Sequence, residues 1–145
     1  MITSMLPNAA EAELEDWGPL DEATGAPMAT SGLEIWVDGD SSAGIWQCAP
    51  GPSRWTLATH EVIYLVAGRM TVTPDGGEAS EIGVGDVAVF PKGWTGTWDI
   101  HETVRKVYSI FGATPVNSGR WPTGGGVKWR RRSRRAAEHR RSPGS

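Results

Sequence analysis

From Leu33 to Phe111 the chain is a series of short apolar runs, each cut off by Gly, Pro, Asp or Ser at near-regular spacing. That texture is the signature of a sandwich or barrel of strands. Gly and Pro make up 29 of the 145 residues, which disfavours long helices and favours strands joined by turns. The spacing predicts strands over Leu33–Val37, Ala43–Cys48, Trp55–Thr59, Glu61–Val66, Met70–Thr73, Val87–Phe90, Gly96–Ile100 and Val104–Phe111. A length of this order fits one all-β domain with a sizeable core. Pro74-Asp75-Gly76-Gly77 and Asp38-Gly39-Asp40 read as hairpin turns, because Gly accepts the positive φ that reverses a chain tightly.

Charge divides the chain further. Met1 to Val127 holds 6 Lys and Arg against 16 Asp and Glu, whereas Lys128 to Ser145 holds 8 basic residues and one acid. The expected organisation is an irregular arm over residues 1–30, a domain over 31–114, a linker over 115–127 and a basic, disordered tail over 128–145. Within the arm, Ala9 to Asp16 is a weakly helical patch. The tail can hold nucleic acid weakly through phosphates but has nothing with which to read bases. No apolar run approaches the ~20 residues of a membrane span, and no basic leader opens the chain, so a cytoplasmic location is expected. Cys48 is the one cysteine and reads as a small core residue.

Alternation assigns faces. Val104, Lys106, Tyr108 and Ile110 share one side of the last strand, opposite Thr103, Arg105, Val107, Ser109 and Phe111. Trp94, Gly96, Trp98 and Ile100 likewise fall on one alternate set. In Glu61 to Val66 both alternate sets are apolar apart from Glu61, which predicts a strand covered on both sides.

Two segments resemble the paired signatures of the cupin superfamily. Gly51, the stretch Trp55-Thr56-Leu57, Glu61 and Gly68 follow the spacing of the first, in which a His-x-His pair precedes a Glu. Gly85-Asp-Val-Ala-Val-Phe-Pro91-Lys92-Gly93-Trp94-Thr95-Gly96 follows the second, except that Gly96 stands where a His is expected. The phrases GIWQCAPG, PKGWTGTW and HETVRKVY are similar to those of ureidoglycine aminohydrolase-like and ethanolamine-utilisation cupins. The resemblance implies a single jelly-roll barrel, a double-stranded β-helix, with its chemistry inside and a homodimer as the common assembly.

Metal-binding cupins hold a divalent ion with the His pair, the Glu and the late His, and of these only Glu61 is present here. No metal and no other cofactor is therefore expected. His60 should point away from Glu61 on a regular strand, and His101 stands elsewhere. A carboxylate inside an apolar barrel needs a compensating charge, and Lys106 is the candidate. A Glu61–Lys106 pair is either architectural or functional. In the functional version Glu61 and Lys106 are acid–base residues, with the Tyr108 hydroxyl orienting a substrate. Trp55, Trp94 and Trp98 are candidate ligand-binding residues. As core alone, each indole contributes roughly 4 to 6 kcal/mol of gross transfer energy, so filling space is the competing role. Three functions follow: a metal-free cupin that binds or transforms a small molecule in the barrel, a metal-dependent hydrolase like the aminohydrolases, or a noncatalytic interaction or sensory module. The residues do not decide whether the protein is an enzyme.

Overall fold

The computed structural model describes residues 3–112, and the expected linker and basic tail lie outside them. Eight strands and no helix are found among the described residues: β1 (Glu15–Pro19), β2 (Ala29–Asp38), β3 (Ser41–Cys48), β4 (Gly51–Thr56), β5 (His60–Pro74), β6 (Ser80–Gly83), β7 (Val87–Phe90) and β8 (Thr95–Phe111). All pairings are antiparallel.

Two long strands are shared between two half-sheets. The first part of β5 and the last part of β8 pair with each other, with β7 and β3 on their outer sides and β2 and β1 beyond. The last part of β5 and the first part of β8 also pair, now flanked by β6 and β4. Register shifts at Leu65/Ala67, Ala67/Arg69 and Arg69/Met70 mark where β5 bends from one half-sheet into the other. Gly68 sits at that bend with φ of +85°, and a Cβ there would lie 2.2 Å from the Thr103 carbonyl oxygen, so only glycine fits. The result is the jelly-roll barrel expected from the sequence.

The turns are where the sequence puts them. Gly77 N–H donates to the Pro74 carbonyl, and Gly39 has positive φ in the two-residue loop between Asp38 and Ser41. Arg54 on β4 grips the Pro74–Gly77 turn through a bidentate pair with Asp75, which holds that carboxyl below its ordinary range. Strands expected as separate pieces are continuous: Glu61–Val66 with Met70–Thr73 in β5, and Gly96–Ile100 with Val104–Phe111 in β8. Each bends without a turn, because a bulge needs no break in pairing.

Two expectations are corrected. The arm is not wholly irregular or peripheral: Ala9–Asp16 forms no helix, Glu15–Pro19 pairs with β2, and Trp17, Leu20 and Met28 are core residues. Propensity without an apolar stripe does not sustain a helix, whereas burying Trp17 sustains a strand. Nor is the start of β5 covered on both sides. Glu61, Ile63 and Leu65 are buried, but Tyr64 on the opposite face is 44% exposed. One interior cluster runs through both half-sheets, from Trp46 and Val104 to Trp55, Trp98 and Ile82.

Candidate site inside the barrel

Glu61, the second residue of β5, points inward, where water cannot solvate its charge. On β8, the alternation that buries Val104, Tyr108 and Ile110 brings Lys106 to the same interior. Lys106 Nζ donates to Glu61 Oε2 at 2.6 Å, and both residues are 3% exposed. The ammonium also lies 4.5 Å from the centroid of the Trp46 ring and 4.6 Å from that of Trp98. It is thus held by one carboxylate and two indole faces, an arrangement that offsets the loss of hydration better than the ion pair alone.

Trp46 is the residue the sequence reading did not single out. It lies directly opposite Lys106 on β3, so the strand register decides its contact. Its signal was the alternation Gly44, Trp46, Cys48 within GIWQCAPG, visible only once β3 and β8 are known to pair. Trp55 stacks on Trp98 with centroids 4.3 Å apart and meets Trp46 edge-on at 6.3 Å. The Trp55 indole N–H donates to Ser53 Oγ at 2.7 Å, and Ser53 Oγ donates to the Trp98 carbonyl, which fixes both rings.

The positions that would carry a cupin metal all face inward, yet none but Glu61 carries a ligand. Trp55 and Leu57 are buried at the first pair, and Gly96 is directly opposite Trp55. A Cβ at Gly96 would lie 2.3 Å from the Thr73 carbonyl oxygen and 2.6 Å from the Trp94 ring, so no side chain fits there without moving backbone. His60 is turned outward, accepts from the Lys92 N–H at 3.0 Å through Nδ1 and packs on Phe111. His101, on the solvent side of β8, hydrogen-bonds Thr71. Among the described residues no group of three or more His, Cys, Asp or Glu converges. With an ammonium already on its carboxylate, this donor set does not fit a divalent metal.

The remaining candidates divide. Tyr108 shares the face of Lys106, but its hydroxyl reaches toward β3, 2.8 Å from where a Gly44 Cβ would stand. Trp94 does not enter the Lys106 cage; with Phe90, Val72 and Ile82 it lines a cleft of about 530 Å³ between β6 and β7. Glu78, Glu81 and Asp86 also line that cleft, whereas Glu61, Lys106, Tyr108, Trp55 and Trp98 do not. Cys48 is fully buried, and burial pushes its thiol up to about 12, in keeping with a core role.

The sequence model of the EutQ-like cupin domain matches residues 37–108, from the end of β2 to Tyr108. The chain carries a EutQ-like cupin domain. Solved cupin-fold structures agree in architecture. The EutQ protein of Clostridium difficile superposes with a TM-score of 0.60 at 17% identity, over 70% of this chain and 82% of its own. The ethanolamine utilization protein Q of Salmonella typhimurium gives 0.56 at 23% identity, over 79% and 96%. A protein of unknown function from Pseudomonas syringae pv. tomato gives 0.65 at 20% identity, over 70% of this chain. The present chain covers only 46% of that Pseudomonas protein. No curated protein matches the chain. No helix among the described residues is long and apolar enough to cross a membrane.

Proposed function

We propose that this EutQ-like cupin is a metal-independent small-molecule-binding domain, with Glu61 and Lys106 closing the barrel and the ligand held beside Trp94. The observation that carries this reading is the amine of Lys106, seated on the carboxylate that a metal would use and walled by Trp46 and Trp98. A ligand cannot reach that pair without displacing indoles that are 1% and 0% exposed. The cleft between β6 and β7 is open to it, falls in the roughly 300 to 1,000 Å³ range of small-molecule sites, and has an aromatic and aliphatic floor. Carboxylates among its lining residues favour neutral or cationic compounds over anions.

The experiment is a thermal-shift and tryptophan-fluorescence screen of small amines, neutral heterocycles and carboxylates on chelator-treated full-length protein. Binding that survives chelation and is lost in Trp94→Ala, while Trp55→Phe retains it, supports the reading. Binding that needs added Mn, Ni or Zn overturns it and revives the metal-dependent, aminohydrolase-like alternative. A second reading, acid–base catalysis by Glu61 and Lys106 with Tyr108 orienting the substrate, is favoured by the short Glu61–Lys106 contact alone. Metal-free turnover abolished by Lys106→Met in a variant that still folds would establish it.

A further inference from the structure

We propose that the free edge of strand β7 docks an extended, basic segment of a partner protein, which adds to the barrel as a further strand. The inference rests on reading the Trp94 cleft as a ligand site, and names the class of partner that site takes. Among the described residues β7 is joined to β5 alone. The Leu65 N–H donates to the Asp86 carbonyl, and the register continues with Ile63 opposite Ala88 and Glu61 opposite Phe90. In an antiparallel pair every second residue turns its main-chain groups away from the neighbour, so Val87 and Val89 aim theirs away from β5. Neither has a main-chain partner on that side among the described residues. Both are mostly exposed, at 65% and 61%. Edge strands are usually guarded by charged residues, prolines or a covering element, and Val87–Phe90 contains neither charge nor proline.

The occupant follows from what borders that edge. β7 forms one wall of the cleft of about 530 Å³, and β6, which also pairs with β5 alone, forms the other. A strand laid along β7 meets Val87 and Val89, each offering an N–H and a carbonyl, and turns its alternate side chains to opposite sides. Those on the inner side face the floor of Phe90, Trp94, Val72 and Ile82, which favours apolar residues there. The charged lining is acidic, Glu78, Glu81 and Asp86, with no Lys or Arg among the lining residues. Asp86 accepts from the Gly83 N–H and Glu81 pairs with Arg69, whereas Glu78 has no ion pair or hydrogen bond among the described residues. Basic side chains alternating with apolar ones complement both features. In this mode main-chain hydrogen bonds supply affinity, and the pockets for alternate side chains supply selectivity. The chain's own basic segment, Lys128–Ser145, does not sustain that alternation beyond Arg130, so the segment that fits belongs to another protein.

Calorimetric titration of the full chain with a short blocked peptide of alternating lysine and valine tests this. Two analogues are titrated beside it, methylated on alternate main-chain nitrogens in the two possible phases. The expected result is saturable binding of the parent peptide and at least about ten-fold weaker binding of one analogue, since methylation removes donors and leaves side chains and charge unchanged. In Val89→Pro the outward N–H is lost while the ladder to β5 stays intact, so binding should weaken likewise in a variant whose far-ultraviolet dichroism is unchanged. Equal affinity for the parent and both analogues overturns the proposal, because charge alone then holds the peptide. So does binding unchanged in folded Val89→Pro, and so does absence of binding. A small amine that binds the full chain and is lost in Trp94→Ala upholds the cleft as a ligand site even where the peptide fails, so the two failures are told apart.

Discussion

Strands β5, β7 and β8 have two faces that could hardly differ more. Inside, Glu61 is 3% exposed and enclosed by other side chains: Lys106 neutralises it, Trp46 and Trp98 cover the amine, and Trp55 and Phe90 pack on Trp98. Outside, the same strands present Tyr64, Val87 and Val89 with nothing over them among the described residues. The interior around Glu61 is packed as a core, and the cleft proposed above as a ligand site is lined by Trp94 and not by the Glu61–Lys106 pair. A barrel fold hosts function in grafted sites, and here the site inside has been filled with structure.

If that contrast is right, substitutions on the two faces should differ by several kcal/mol. Trp98→Ala, at a fully buried ring, should cost about 3 to 5 kcal/mol in urea unfolding, whereas Val89→Ala should stay within about 0.5 kcal/mol at a protein concentration where the chain is monomeric. Comparable losses at the two positions would break the contrast. A smaller but sharper test restores the late metal position. Gly96→His should cost about 1 to 3 kcal/mol through overpacking against Thr73 and Trp94, and neither Zn nor Ni should raise the melting temperature of the variant. Stabilisation by stoichiometric metal would show that the interior still has room for an ion.

The smallest effect concerns Cys48. Its folded pKa is raised from 9.0 to about 12 by burial, so the thiol is neutral at physiological pH and a disulfide-exchange reagent should react only after unfolding. The sign for stability follows from the same shift. Its contribution is intact below pH 9 and declines as pH rises through that window toward 12, since only the unfolded chain readily gives up the proton. Prompt reaction of the native thiol at neutral pH would mean that the interior opens to solvent.

Much of the interior was legible beforehand, for particular reasons. Period-two alternation fixed Lys106, Tyr108 and Ile110 on one face, the resemblance of Gly51, Glu61 and Gly68 to the first cupin signature implied a carboxylate inside the barrel, and a buried carboxylate needs a cation. Those arguments use neighbours along the chain, one family resemblance and one general cost. What escaped depends on registers between strands. Trp46 becomes a wall of the Lys106 cage only because β3 pairs with β8 at that position, and Gly96 is excluded from holding a side chain only because the Trp94 ring and Thr73 occupy its space. Strands β1 and β6 were missed because EDWGP and SEIG hold too few apolar residues to show a period; pairing with β2 and β5 makes them strands. Glu61 to Val66 was read as doubly covered for the opposite reason, since apolar composition says that a face should be covered but not by which molecule.

The measurement that bears most directly on the central claim is a double-mutant cycle on Glu61→Gln and Lys106→Met, read by urea unfolding at neutral pH. Each single variant leaves one group stranded in the core and should lose about 3 to 5 kcal/mol, while the double variant, with no charge left to strand, should recover at least half of the larger loss. Losses that simply add would contradict the account, because they would mean that the amine and the carboxylate do not depend on each other.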